Sequence, residues 1–552
     1  METFCAVWVS GQRLFWLASR LTALRFLLCI TVFTVTPALG AAPAAAPVDT
    51  SAVPEIHPPS LLPAGWHTGA FMEIFVRAYQ DSDGDGVGDL KGLIQRLDYL
   101  KDLGISGIWL MPITASADGD HGYATTDFRA IEAAYGTLQD FDELLRQAHA
   151  RGIGVIMDYV INHSASEHPL FASALQGPGS PYYDWFVWEK EAPQGWDIWG
   201  KTPWFSTPVG HYFGTFGPHM PDFNFRNPAV LAYHQSNLRF WLNRGLDGYR
   251  LDAVPHLVEN NAKDWNDQPQ SRRLTGELTA LIAAYPQRHV VCEATANPVV
   301  YAAAHLCGSA FAFGLEREIV GAAKGHTKAV RAVSNYFRTA PASMATFASN
   351  HDRFAGDRLW DQLKGNESRY RLAAASYLLL PGTPFIYYGE EIGMGGVMGL
   401  AGDDALRAPM RWTAEAKLGA FTSGTPFRPV SPNAVRFNAA AQLADPNSLL
   451  SFYRRMLALR NLLPSLARGS YEAPFVQGKL MGFQRTLGSE TTLVLINYGD
   501  KAARASIDKL APSATLVQRH PKNEAKASVN ARGVARVRVA ARSVQVYSVQ
   551  LH

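Results

Sequence analysis

At 552 residues the chain is too long for one simple core, so about two or three domains are expected. With 47% apolar and 18% charged residues it has the composition of an ordinary globular enzyme. A formal net charge of only +3 argues against nucleic acid or an anionic membrane as partner.

The N-terminus reads as an export signal over residues 1–40. Arg13, Arg20 and Arg25 precede an apolar run, Phe26–Val35, that is short for a membrane span. ALGAAPAAAP (Ala38–Pro47) follows, offering cleavage near Gly40 or in the alanine run. A secreted or periplasmic protein is expected, free of the membrane once the signal is cut. An uncleaved anchor is the alternative, because the n-region is long and holds Phe15 and Trp16. Cleavage removes Cys5 and Cys29, and the two cysteines that remain, Cys292 and Cys307, do not make a disulfide scaffold. Their pairing is left open. Residues 41–62, rich in Pro and Ala, read as a linker.

From Gly65 apolar strands alternate with amphipathic helices. FMEIFVRAY (Phe71–Tyr79) is the first strand, followed by one helix with Leu90, Leu93, Ile94, Leu97, Leu100 and Leu103 at helical spacing. ISGIWLMP (Ile105–Pro112) is the second strand, with its helix over Asp140–Gly152, and VIMDYV (Val155–Val160) is the third. GLDGYRLDA (Gly245–Ala253) holds the fourth and HVVCEA (His289–Ala294) the fifth. A weaker sixth runs through Ala310–Leu315, and ATFASNHD (Ala345–Asp352) and PFIYYGE (Pro384–Glu390) complete eight. Eight such units predict a (β/α)8 (TIM) barrel of parallel strands, residues 63–162 and 226–468, closed by the helix Ser448–Leu463. The stretch 163–225 interrupts the rhythm as an inserted subdomain dense in aromatics: Tyr182, Tyr183, Trp185, Trp188, Trp196, Trp199, Trp204, Tyr212 and Phe213. Such rings suit sugar faces, and equally the core of a small subdomain. Residues 469–552, with alternating runs such as Thr491–Tyr498 and Ser543–Leu551, predict a C-terminal antiparallel β-sandwich.

Barrels of this kind carry chemistry at the C-terminal ends of their strands. Arg250 and Asp252 sit two apart on the fourth strand and so share a face, where the guanidinium favours an ionised Asp252, a form suited to a nucleophile. An ion pair that merely ties two strands together is the other role open to them. Glu293 ends the fifth strand and Asp352 the seventh, beside His351. Mutual repulsion and burial among three carboxylates should raise at least one pKa, which divides acid from nucleophile as glycoside hydrolysis requires. His163 and His351 can hydrogen-bond hydroxyls of the same sugar.

In these residues the chain over Gly65–His552 resembles the α-amylase family of glycoside hydrolases. Four stretches carry the likeness: DYVINH (Asp158–His163), GYRLDAVPH (Gly248–His256), CEA (Cys292–Ala294) and SNHD (Ser349–Asp352), in order on strands three, four, five and seven. The resemblance implies Asp252 as nucleophile, Glu293 as general acid/base and Asp352 as stabiliser of the oxocarbenium-like transition state. It implies Arg250, His163 and His351 as holding the sugar, and Tyr123 in DHGYATTDF (Asp120–Phe128) as a stacking platform, with Asp120 also binding substrate. Asp158 and Asn162 would be architectural. Ala124 departs from the family, where Asp often follows that Tyr.

DSDGDGVGD (Asp81–Asp89) is the metal candidate, with carboxylates at Asp81, Asp83, Asp85 and Asp89 and Gly86 at the turn. The twelfth position is Gly92, so the bidentate Glu of an EF-hand is missing. Hard oxygen ligands favour a structural Ca²⁺, with Mg²⁺ as the alternative, and the resemblance adds the Val87 carbonyl to the set. Ala253 after Asp252 stands where relatives specialised for α-1,6 links resemble one another in carrying Val. MPDFN (Met220–Asn224), Gly382–Met394 and Leu406–Trp412 are similar to the group between oligo-1,6-glucosidases and neopullulanases. An enzyme on α-1,4-glucans or malto-oligosaccharides is therefore expected, acting as a monomer. The alternatives are an exo-acting α-glucosidase or a transglycosylating relative such as a trehalose synthase.

Overall fold

The structure is a computed structural model, and the residues it describes are 48–415, 421–522 and 525–551. The expected export signal lies outside the described residues. Residues 48–62, the described part of the expected linker, lie along the barrel. There Arg129 donates to Asp49 at 3.0 Å and to the Ser51 carbonyl at 2.8 Å, and Asn243 to the Pro54 carbonyl at 2.7 Å.

Seven strands pair in parallel: Phe71–Ile74, Gly107–Leu110, Gly154–Tyr159, Gly248–Leu251, His289–Cys292, Ala345–Thr346 and Thr383–Tyr387. The sixth barrel position is held by Ala310 and Phe311, whose isolated parallel bridges to Cys292 and Ala345 close the ring. The sixth stretch cannot pair further because Gly314, at φ 95°, turns the chain into the helix Leu315–Ala323. The observed strands are shorter than the apolar runs that announce them. Beyond Ile74, for instance, the chain enters a 3-10 turn at Val76–Ala78. The helix expected after the first strand is two, Leu90–Gln95 and Leu97–Leu103, separated at Arg96. Arg96 leaves helical φ, reaching Gln80 at 2.7 Å and lying over the Trp412 ring.

Both faces of each strand are buried, which is why the strands read as near-continuous apolar runs. Period two divides them. Phe71, Trp109, Ile156, Val291, Phe311, Ala345 and Phe385 form one packed cluster inside the barrel with Leu62 and Trp66. Two residues on, Glu73 follows Phe71 and Asp158 follows Ile156, and Arg250 stands in register with both Asp158 and Val291. The polar layer thus rests directly on the apolar one.

The insertion forms a three-stranded antiparallel sheet of Trp188–Glu189, Gly210–Phe213 and Trp204–Thr207. Its rings mostly pack on one another: Trp188 stacks between Tyr183 and Phe171 at 5.0 and 5.8 Å, and Trp204 meets Phe213 at 5.1 Å. Of the nine aromatics named from sequence, Trp199 alone lines the cleft described below.

The C-terminal part is an antiparallel sandwich. A six-stranded sheet (Ser470–Gln477, Leu480–Leu487, Glu490–Asn497, Ser543–Gln550, Thr515–His520, Lys526–Ser528) shares a core with the pair Ala503–Ile507 and Ala535–Val539. Leu493, Leu495, Ile507, Leu516, Val537 and Val539 fill it.

Candidate active site

The C-terminal ends of the strands open on a cleft of about 600 Å³ lined by Tyr123, His163, Asp252, Glu293, Asp352 and Arg407, with Trp199, Phe216 and Phe354 at its rim. Arg250 is the hub beneath it. It is buried, and its guanidinium meets Asp158 at 2.8 Å, Glu293 at 2.9 Å and Asp252 in a short contact. Three strands therefore deliver three carboxylates to one cation, as the period of two and the register between strands three, four and five demand.

Glu293 is held from a second side. The backbone N–H of Ala253 donates to its Oε2 at 3.0 Å. Asp352 is approached by Arg407 at 3.4 Å and by His351 Nε2 at 3.1 Å. His351 in turn meets Glu73 through Nδ1 at 2.6 Å and the Tyr123 hydroxyl through Nε2 at 2.7 Å. That hydroxyl also donates to Asp158 at 3.0 Å, which returns the network to Arg250. The rings of Tyr123 and His351 stack at 5.6 Å.

Burial is the largest influence on these acids. It pushes Asp252 well above the usual carboxylate range, against the pull of Arg250, and the neighbouring Glu293 adds to the rise. Burial likewise lifts Asp352 to about 7, with Arg407 opposing and Glu293 reinforcing, and Asp158 to about 6, with Arg250 opposing. Burial and the neighbouring Glu293 thus oppose the ionised Asp252 expected from sequence, and Arg250, which favours that form, is shared among several carboxylates. Burial keeps His163 at about 3 and His351 well below its ordinary value, so both rings are neutral. His163 lines the cleft with Nε2 at 3.1 Å from the Tyr123 carbonyl.

Of the expected substrate residues, Tyr123 and His163 line the cleft, Arg250 and His351 lie buried beneath it, and Asp120 turns away to another partner. Its carboxylate pairs with Arg428 at 2.7 Å, and its neighbour His121, itself 3.1 Å from Asp118, is the residue that lines the cleft. Glu73, Arg407, Phe216 and Phe354 belong to the site and escaped the sequence reading. An acid inside the apolar run FMEIF was the signal for Glu73, whereas Arg407 comes from an irregular stretch with no periodicity to read.

The acidic loop brings Asp81, Asp83 and Asp89 together, each offering a carboxylate oxygen within 4.8 Å of the others. Asp85 stands outside that group, accepting from the Val87 N–H at 2.7 Å. Burial raises Asp81, but hydrogen bonds from Thr422 and the N–H groups of Gly84, Gly86 and Asp83 outweigh it and hold the acid ionised. Gly86, at φ 97°, lets the loop pass so close to the Thr425 carbonyl that a Cβ there would stand 2.0 Å from it. Asp89 also caps the helix Leu90–Gln95 through Gly92 N–H at 2.7 Å. Three hard carboxylate donors converging on a fixed loop fit a Ca²⁺-type cation.

Cys292 and Cys307 are joined by a disulfide, which answers the question their sequence positions left open. It lies immediately before Glu293 and spans the loop to the sixth barrel position.

Residues 73–469 match the sequence model of the alpha amylase catalytic domain. Alpha-amylase 3 of Dictyoglomus thermophilum is 34% identical over 446 residues, covering 78% of this chain and 85% of that protein. A trehalose synthase/amylase of Mycolicibacterium smegmatis is 34% identical over 458 residues, covering 73% of this chain and 77% of its own length. Among solved structures, an alpha-amylase from H. orenii superposes with a TM-score of 0.75 at 31% identity, over 87% of this chain and 99% of the other.

Proposed function

The chain belongs to the alpha-amylase family, a glycosidase family, and we propose that it is a retaining enzyme cleaving α-1,4-glucosidic bonds of starch, maltodextrins or malto-oligosaccharides. One observation carries the reading: Asp252 and Glu293 share the Arg250 guanidinium at the base of the cleft, with Asp352 beside His351 in the same lining. Double displacement needs two carboxyl groups on either side of one bond, one to attack and one to pass a proton. In the first step an oxygen of Asp252 bonds to the anomeric carbon, the glycosidic bond breaks, and Glu293 gives its proton to the departing oxygen. In the second, Glu293 takes a proton from water, whose oxygen replaces Asp252 at that carbon. Asp352 faces the positive charge that develops on the ring in both. Tyr123, stacked on His351, offers an aromatic face to the sugar, and His163 a neutral ring nitrogen.

A second reading is favoured by Arg428. It binds Asp120 at 2.7 Å and Asp404 at 2.8 Å, tying together two loops whose neighbours, His121 and Asp403, line the cleft. A wall there would admit only chain ends, as in an exo-acting α-glucosidase or a transglycosylating enzyme.

The loop around Asp81, Asp83 and Asp89 would hold a structural Ca²⁺, an ion that ties the loop to the start of a helix. The disulfide supports an extracytoplasmic location, since such bonds persist in oxidising compartments.

Products from soluble starch, maltotriose, isomaltose and sucrose, followed by proton NMR, test the proposal. Maltosaccharides released first as the α-anomer are expected, with Asp252→Asn folded and inactive. Initial β-anomer, or near-normal turnover by Asp252→Asn, would sink it. Glucose alone, or transfer products, would select the second reading.

A further inference from the structure

A second cavity, of about 470 Å³, lies at the opposite end of the barrel from Asp252. His67 and Thr68, just before the first strand, border it. So do His289 and Thr383, which open the fifth and eighth strands, and Ser309 before the sixth position. Its far side is Ala467–Gly469 and Arg485, where the barrel passes into the C-terminal sheet.

The lining is one-sided in charge. It contains Arg288, Arg468 and Arg485 and neither Asp nor Glu. Arg288 is shared with Asp247 at 3.9 Å. Arg485, by contrast, is buried and donates to carbonyls, those of Gly469 at 2.9 Å, Ser470 at 3.2 Å and Leu379 at 3.5 Å. A buried guanidinium with only dipoles around it is poorly compensated.

A second observation is independent of charge. His289 and Ser309, 8% and 4% exposed, each carry a buried polar atom without a hydrogen-bond partner, Nε2 and Oγ. Nδ1 of His67 is in the same condition, and the His67 and His289 rings stack at 5.0 Å. Such orphans are uncommon in folded proteins and each costs free energy. Burial holds His289 at about 3 and His67 below its ordinary value, so both are neutral and each ring can present an N–H. Hydroxyl and ring N–H donors beside uncompensated guanidinium charge complement an acceptor that is itself anionic.

We propose that this cavity binds a phosphate-type oxyanion, free or as the phosphoryl group of a monosaccharide phosphate, between the barrel floor and the C-terminal sheet. Ser309, His289 and His67 supply directional donors, and Arg468 and Arg485 the charge. The bound anion fastens the two parts of the molecule together and leaves the cleft chemistry untouched, so the site stands whether or not the reaction proposed above is right.

The test is thermal unfolding of the full chain at fixed calcium and fixed ionic strength, with inorganic phosphate or glucose 6-phosphate replacing chloride. A saturable rise in Tm of at least about 2 °C is expected, because a ligand bound only to the folded state stabilises it by mass action. Arg468→Glu, at an exposed position, and Ser309→Ala should each weaken half-saturation by about tenfold, the weight of one charged hydrogen bond, while starch-degrading activity stays unchanged. Saturation at lower concentrations of glucose 6-phosphate identifies the sugar ester as the ligand, and equal saturation identifies free phosphate. A phosphate response no greater than that to chloride, or variants that respond as the wild type does, would overturn the assignment and leave a water-filled crevice.

Discussion

The backbone N–H of Ala253 donates to Oε2 of Glu293 at 3.0 Å, from a residue held at φ 47°. That left-handed conformation follows directly on Asp252 and costs a non-glycine residue about 1–2 kcal/mol. The strain is local and sits between the two carboxylates of the proposed reaction.

The conformation changes what a valine at 253 would do. From sequence alone a Val narrows the acceptor side and favours α-1,6 links. At positive φ a β-branched residue is strained, so Ala253→Val should first shift the turn and pull the N–H away from Glu293. Loss of that one hydrogen bond, about 0.5–1.5 kcal/mol, predicts a fall in kcat of roughly 2–10-fold on maltotriose and isomaltotriose alike. Ala253→Gly should retain most activity. Kinetics on both trisaccharides check this, and a changed linkage ratio at normal kcat would contradict it.

Metal removal should lower the melting temperature. At a calcium concentration 100 times its dissociation constant, an ion bound there would contribute about 2.7 kcal/mol to the folded state. Asp83→Ala removes one of the three convergent carboxylates and should abolish the calcium-dependent part of the Tm. Titration calorimetry of the apoprotein checks binding directly; unchanged unfolding with EDTA would mean the loop is a solvated turn.

The Cys292–Cys307 bond closes a 15-residue separation, for which loop-closure entropy gives about 3 kcal/mol. Cys307→Ser should therefore lower Tm, and dithiothreitol should reproduce the shift in the wild type but not in the variant. Because Cys292 adjoins Glu293, kcat should fall along with stability. Identical melting of oxidised and reduced protein would remove the structural role.

Asp222 provides a pH test. Burial lifts it to about 8 from 3.8, opposed by hydrogen bonds from Thr215. The folded state therefore holds this proton more tightly than the unfolded state. Its contribution to stability is complete below about pH 4 and is lost as pH rises toward 8. Asp222→Asn, which cannot ionise, should lose less Tm than the wild type between pH 5.5 and 8. Parallel Tm curves for the two proteins would show that Asp222 does not titrate in this range.

Much of this molecule could be read without coordinates, and for identifiable reasons. Strands buried on both faces leave unbroken apolar runs, so seven of eight barrel positions appear as strands and the weak sixth as a pair of bridges. Local spacing also put Arg250 and Asp252 on one face, and a strand end put Glu293 at the mouth. The helix that closes the barrel was legible, running Leu449–Leu462 behind its Ser448 cap, whereas the capping box of Thr137 and Asp140 starts the helix after the second strand at Leu138, two residues before the start read from sequence.

What sequence alone determined was therefore everything governed by neighbours in the chain: element type, the order of the barrel units, the acidic loop and the residues at strand ends. The tertiary structure alone decided how charge is shared. Whether Arg250 serves one carboxylate or three depends on inter-strand register, and the proton affinity of Asp252 depends on burial that no local pattern reports. Glu73 reaches His351 across 278 residues, Asp120 turns to Arg428 across 308, and most insertion aromatics pack on each other instead of on sugar. Period and propensity act over a few residues, whereas electrostatics and packing act over ångströms, and only the fold converts one distance into the other.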